Sequence, residues 1–303
     1  MLNMQCVMHI LKIIHASRVT RHASRLTPHA SRLTPHASRL TPHASRLTPH
    51  ASRLTHHASH QQLDHLKLNP EHFSSPDALA LAAADAWLDE IEAAARTGRP
   101  YCVALSGGRI AENFFTATVA RATARKTSFA QVHFFWADER CVPPTDPASN
   151  YKLAYDCLLA PLKIVTDRIH RLRGEDIPQV AAKHADNELQ SVALKHDNQP
   201  VLDLIVLGMG EDGHVASLFP NAIDENVDIS ASFFVVSNSP KPPPVRISLS
   251  YRAIFAAKQV WVLVSGAGKA AVLRDAMSGK QTIPLGRIIA TRGVKIFHLM
   301  NEF

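Results

Sequence analysis

Residues 202–220 read LDLIVLGMGEDGHVASLFP, and the meaning of their three glycines decides how the whole chain is understood. An apolar run, Leu204 to Leu207, stops at Gly208, and Gly208, Gly210 and Gly213 then fall at G-x-G-x-x-G spacing. A dinucleotide fingerprint uses such glycines between a strand and a long helix, with an acidic residue about 20 positions on to hold the ribose. Pro220 cuts short any helix after Gly213, and the next strand, FFVVSNSP (233–240), ends in Ser and Asn. Both supports of a nicotinamide site are missing. What remains is a tight turn. Either Asp212 merely caps a helix there, or the turn presents Asp212 and His214 as an acid–base pair behind a buried strand.

Outward from this stretch, strand and helix patterns alternate. PDALALAAADAWLDEIEAAART (76–97) has apolar residues at helical spacing, with Asp77 early, where an N-cap belongs. YCVALSGG (101–108) is a short strand running into two glycines, and VHFFWADER (132–140) reads as one further buried strand. Helices are expected over Ala111–Ala124, 149–163 (begun by Ser149 or Asn150), 179–195 and Lys269–Met277. Strands are expected at Leu202–Leu207, FFVVS (233–237), QVWVLVSG (259–266) and VKIFHLM (294–300). The pattern implies an α/β fold, with a doubly wound, largely parallel sheet flanked by helices. Ligands of such sheets sit beyond the C-terminal ends of the strands. Three polar clusters lie at strand ends: Ser106-Gly107-Gly108, Asp138-Glu139-Arg140 and Asp212-Gly213-His214. They are expected to share one cleft.

The first sixty residues differ from the rest. HASRLTP recurs with copies beginning at His22, His29, His36 and His43, and the segment holds eight of the 33 Lys+Arg and no acid. Removing those eight from the formal charge of +7 leaves −1 for residues 61–303. The basic balance therefore belongs to the repeat and is a poor argument for a nucleic-acid partner. The repeat lacks paired apolar positions, and its prolines would break a helix. With one Leu per unit it cannot offset chain entropy, so residues 1–60 are expected to be disordered and without function. Organelle transit peptides are also Arg- and Ser-rich and acid-free, an alternative left open. The word-for-word copies look like a translated tandem DNA repeat. Residues 61–303 suffice for a single α/β domain.

No stretch is long and apolar enough to span a membrane. Cys6, Cys102, Cys141 and Cys157 lack any C-x-x-C spacing and read as reduced thiols, so a cytoplasmic protein is expected. No metal-ligand cluster stands out, since ten of the eighteen histidines lie in the first sixty residues.

LSGG (105–108), FFWADERCVPPTDPASNYKLA (134–154), LGMGEDGHVASLFP (207–220), SPKPPPVRISLS (239–250) and SGAGKAAVL (265–273) carry a resemblance. Over about residues 70–300 the chain resembles the 6-phosphogluconolactonase family, within the wider group that includes glucosamine-6-phosphate deaminases. The resemblance implies a Rossmann-related sugar-phosphate isomerase/lactonase fold. It implies a carboxylic ester hydrolase that opens 6-phospho-D-glucono-1,5-lactone to 6-phosphogluconate. The partner is then a small sugar-phosphate lactone, the protein a monomer or small homo-oligomer, and the chemistry requires no metal or cofactor.

The residues suit that reaction. An imidazole titrating near neutrality is the natural base for activating water, which makes His214 the candidate, with Asp212 orienting the ring. Arg140 is the candidate cation or substrate clamp; its alternative is an ion pair with Asp138 or Glu139. Ser106, Gly107 and Gly108 precede a helix N-terminus, where N–H groups favour a phosphate. By resemblance Arg246 and Lys269 complete the charge balance, and Asp138 and Asn150 join the substrate-binding set. Arg246→Ala is expected to weaken phosphorylated ligands most.

Departures from the family pattern are also visible. Arg109, Ile110 and Ala111 follow LSGG in place of the usual Ser-Thr-Pro, Val215 replaces Thr, Asn221 replaces Gly, and Asn301 stands where Asp is more common. The deaminase relatives carry a glutamate where this chain has Phe219 and a tyrosine where it has Arg140. A deaminase-type enzyme and a non-catalytic sugar-phosphate sensor are the rivals.

Overall fold

A computed structural model of the chain describes residues 68–220 and 230–299. The repeat over residues 1–60, Cys6, Asn221 and Asn301 lie outside the described residues, so the expectations for them are not addressed by it. In chain order the elements are β1 (Leu68–Phe73), α1 (Pro76–Ala95), β2 (Tyr101–Leu105), α2 (Arg109–Arg125), β3 (Val132–Trp136) and β4 (Asp138–Arg140). Next come α3 (Asn150–Ala154), α4 (Pro178–Val192), the small hairpin β5 (Lys195–His196) and β6 (Gln199–Pro200), β7 (Leu204–Gly208) and β8 (Phe233–Val236). The chain continues through β9 (Arg246–Leu249), α5 (Tyr251–Ala256), β10 (Gln259–Val264), α6 (Ala270–Met277), α7 (Pro284–Thr291) and β11 (Val294–Leu299).

Six strands form a parallel sheet in the order β1-β11-β10-β7-β2-β3. The interior strands β2, β7 and β10 are largely apolar runs because both of their faces are covered, and at the sheet edge every residue of β3 is buried as well. Helix α1 lays Leu79, Ala83, Trp87, Leu88 and Ile91 against this core at three- and four-residue spacing. Trp87 meets Phe114 of α2 with ring centroids 5.3 Å apart and the edge of Phe134 of β3 at 6.3 Å. From β2 the chain moves outward to β3, and from β7 it moves outward the other way, to β10 and β11. The crevice between β2 and β7 is therefore where the winding reverses, and ligands of doubly wound sheets bind there.

The sequence reading needs correction in several places. VHFFWADER is two strands in two sheets, divided at Ala137. The Ala137 N–H donates to the Leu105 carbonyl at 2.7 Å, while its own carbonyl accepts from the Leu249 N–H at 2.7 Å. The chain thus leaves the parallel sheet and enters an antiparallel one, β4-β9-β8, which also takes FFVVS out of the main sheet. Apolar periodicity cannot signal the change, because both halves are buried.

Helix α1 is capped by Ser75, whose Oγ accepts from the Ala78 N–H at 3.1 Å; Asp77 lies in the first turn instead. The helix expected over 149–163 is α-helical only to Ala154 and continues as one π turn, Tyr155–Leu159. Helix α2 starts at Arg109, two residues earlier than expected, and α6 starts at Ala270 after a 3-10 turn through Lys269. Strand β1 escaped notice because it carries Pro70, which only an edge position tolerates.

Candidate active site

The glycines after β7 serve the turn. The imidazole of His214 folds back over Gly210, where an added Cβ would lie 2.1 Å from Nδ1. Gly213 takes φ +79°, which side chains disfavour, and a Cβ there would meet Ile283 at 2.3 Å. No helix follows. The segment closes on itself through a Val215–Leu218 bridge, so the dinucleotide reading fails on structure as it does on sequence.

In this turn His214 Nδ1 lies 2.5 Å from Asp212 Oδ1. An ionised carboxylate can only accept, so Nδ1 carries the proton and Nε2 is left with a free lone pair. Phe219 packs on the ring with centroids 4.6 Å apart, and only 17% of the His214 side chain is exposed. Burial holds the imidazole below its ordinary titration range, against the opposing pull of Asp212. Burial alone would push Asp212 up, but the hydrogen bond and charge of His214, with Lys241 nearby, leave it lowered. The pair is therefore a neutral base beside a carboxylate near neutral pH.

The second wall comes from β4. Arg140 and Arg246 are cross-strand partners in the β4–β9 pair, so two cations stand side by side, an arrangement that costs stability until an anion joins it. Glu139 is 2% exposed and points away from the cleft. Its Oε1 accepts from the N–H groups of Arg140 (2.8 Å) and Asn150 (2.7 Å), and its Oε2 from Tyr151 N–H (2.7 Å) and Ser149 Oγ (3.0 Å). Burial pushes Glu139 up to about 7 even though these four donors pull it down. Through it the start of α3 is fastened to β4. Asn150 then donates to the Asp138 carbonyl at 2.9 Å and fits against Gly107, where any Cβ would collide with its amide. Asp138 also accepts from Ser217 Oγ at 2.7 Å.

Arg140 makes no ion pair with Asp138 or Glu139 among the described residues. Its Nη1 donates to the Ala148 carbonyl at 2.6 Å, and its buried Nε has no partner there. Ser106 Oγ, also buried, likewise lacks a partner among the described residues. Gly108, the N-cap of α2 at φ +100°, supplies no side-chain cap, so the first N–H groups of that helix remain available.

Ser106, Gly107, Gly108, Asp138, Arg140, Asn150, His214, Arg246 and Lys269 all line one cavity of about 170 Å³. Asp212 stands behind His214 rather than in the wall. The three polar clusters thus share a cleft, as their positions at strand ends implied. Arg109 and Ile110, the departures from the family loop, line it too. The sequence reading missed Glu139 as a fastener, Ser217 as the holder of Asp138, and Lys241, whose Nζ lies 3.6 Å from Asp212 Oδ1. A glutamate between two polar neighbours in a strand gave a local hint. Lys241 gave none, because it reaches the pair from a distant segment.

A parallel α/β sheet with a cationic cleft and a carboxylate-held imidazole at its switch point defines a protein built to hold an anionic ligand beside a base. The chain belongs to the glucosamine-6-phosphate isomerases/6-phosphogluconolactonase family, whose profile matches residues 74–297. It is 38% identical over 184 residues to a 6-phosphogluconolactonase of Treponema pallidum, covering 60% of this chain and 75% of that one. A 6-phosphogluconolactonase of Haemophilus influenzae is 34% identical over 223 residues, covering 72% and 92% respectively. Among solved structures, 6-phosphogluconolactonase from Trypanosoma cruzi superposes with a TM-score of 0.68 at 25% identity, covering 78% of this chain and 96% of that one. Among the described residues no helix is long and apolar enough to cross a membrane, and no group of side chains is arranged to hold a metal ion.

Proposed function

We propose that the protein is an esterase of sugar-phosphate lactones, hydrolysing 6-phospho-D-glucono-1,5-lactone to 6-phosphogluconate in the cytoplasm. The observation that carries this reading is the His214–Asp212 pair opening onto the same cleft as Arg140, Arg246, Lys269 and the Ser106–Gly108 loop. In it the phosphate lies against Ser106 Oγ, the N-terminal N–H groups of α2 and the cations. The lactone carbonyl then faces His214. His214 Nε2 takes a proton from water as the oxygen attacks C1, and the negative charge formed on the carbonyl oxygen is met by Arg140 of β4. Collapse breaks the bond from C1 to the ring oxygen, which takes the proton back from the imidazolium. The products are a carboxylate and a hydroxyl, with one proton released to solvent. Catalysis is assigned to residues 61–303.

Phe219 supports hydrolysis over deamination. It offers a ring against His214, not a carboxylate to share in ring opening. The test is turnover by the purified chain, with and without residues 1–60, over an enzyme-free blank because the lactone also opens unaided. Lactone opening above the blank, with equal rates for the two forms, supports the reading. Ammonia release from glucosamine 6-phosphate, or binding of 6-phosphogluconate without turnover, would overturn it.

A further inference from the structure

We propose that Lys241 is a positioning residue that shares the Asp212 carboxylate with His214 and so sets the pH at which the imidazole can accept a proton. The inference rests on the base role given to His214 above. Lys241 Nζ lies 3.6 Å from Asp212 Oδ1, the same oxygen that meets His214 Nδ1 at 2.5 Å. One carboxylate oxygen thus faces two partners, one from its own turn and one from the segment SPKPPP.

That segment is fastened in place. Ser239 N–H donates to the Pro244 carbonyl at 2.8 Å, and Ser239 Oγ donates to the Lys241 carbonyl at 2.7 Å. Arg246 adds three more bonds: Nε to the Pro243 carbonyl at 3.1 Å, and Nη2 to the carbonyls of Lys241 at 3.0 Å and Pro242 at 3.2 Å. Four prolines, Pro240 and Pro242 to Pro244, restrict the backbone further. Arg246 is 3% exposed, so much of its guanidinium is engaged in holding this strap. Only Nη1, 3.5 Å from Ser217 Oγ, is free of the strap carbonyls. Lys241 therefore has a fixed backbone under a half-exposed side chain, unlike an ordinary surface lysine.

The charges around the imidazole oppose one another. Asp212 from the turn and Asp138 from β4 favour the imidazolium; burial and Lys241 disfavour it, and the Phe219 ring is neutral. Arg140, Arg246 and Lys269 line the same cleft, while Glu211 turns toward Gly268. A cation beside an imidazole disfavours its protonated form. Lys241 thus keeps the base form present at lower pH, and it favours return of the proton to the departing ring oxygen. Removing the charge moves protonation to higher pH, so activity is lost sooner on acidification.

The experiment follows His214 by NMR titration and kcat/KM against pH in the full chain, for wild type, Lys241→Met and Lys241→Arg. The Met variant is expected to move the His214 midpoint and the acid limb of kcat/KM upward together. Its loss of activity relative to wild type is expected to grow as the pH falls from about 8 to about 5.5, by the factor that the His214 displacement sets. Arg should restore the wild-type profile, and the displacement should shrink in high salt, which screens a half-exposed charge. A His214 midpoint that stays at its wild-type value in the Met variant would overturn the proposal. Because the NMR titration needs no turnover, it distinguishes this failure from failure of the lactonase reading, which the wild-type rate alone decides.

Discussion

Gly210 carries a consequence at the scale of a single residue. Its backbone is not in the left-handed region, so alanine is tolerated locally, but the added methyl would sit where His214 Nδ1 now lies, 2.1 Å away. The ring must then shift off Asp212. A displacement of about 1 Å at a reacting group costs on the order of 10²-fold. Gly210→Ala is therefore expected to lower kcat by roughly that factor with little change in thermal midpoint, which steady-state kinetics beside a melting curve will check. An unchanged kcat would mean that the ring does not need its present seat. The histidine, its carboxylate and the glycines were legible in the sequence because they lie within seven residues of one another. Lys241 and Ser217 were not. Lys241 comes from the segment before β9, and Ser217, though three residues from His214, meets its partner Asp138 only where β4 enters the antiparallel sheet; one-dimensional spacing holds no trace of that sheet.

At the scale of elements, Glu139 joins β4 to the start of α3. Four donors converge on its carboxylate. In Glu139→Gln, the amide NH₂ must face a donor that it cannot satisfy. An unmatched buried polar group costs roughly 1–3 kcal/mol, and α3 loosens where Asn150 is set. The expected outcome is a lower urea midpoint together with a raised KM, since Asn150 and Arg140 both line the cleft. A stability loss with KM unchanged would leave Glu139 a fastener of the fold alone. Strands β2, β3, β7 and β10 could be read from sequence as apolar runs ending in polar clusters. The split at Ala137 could not, because a strand that changes sheets stays buried on both sides of the change.

Across the whole molecule, the two ends of the parallel sheet do different work. Beyond the C-terminal ends lies the cleft. At the other end Asp203, 5% exposed, accepts from Cys102 N–H at 2.9 Å, Arg99 at 2.6 Å and Lys258 at 2.7 Å, and so ties together the starts of β2, β7 and β10. Both cations are partly exposed, which limits their share. Loss of the buried amide's partner dominates, and Asp203→Ala is expected to cost roughly 2 kcal/mol. Its urea midpoint should fall while kcat/KM stays within about twofold. A large kinetic loss in a folded variant would contradict this division of labour. The fold class was legible because strand and helix patterns alternate along the chain. The second sheet was hidden because its strands span only three or four residues each.

The most direct test of the account compares His214→Ala with wild type in lactone opening above the blank and in binding of 6-phosphogluconate. The account predicts that the variant loses about 10²–10⁴-fold in kcat while its Kd for 6-phosphogluconate stays within roughly threefold, because the phosphate is held by other residues. Lactone opening at the wild-type rate would contradict it.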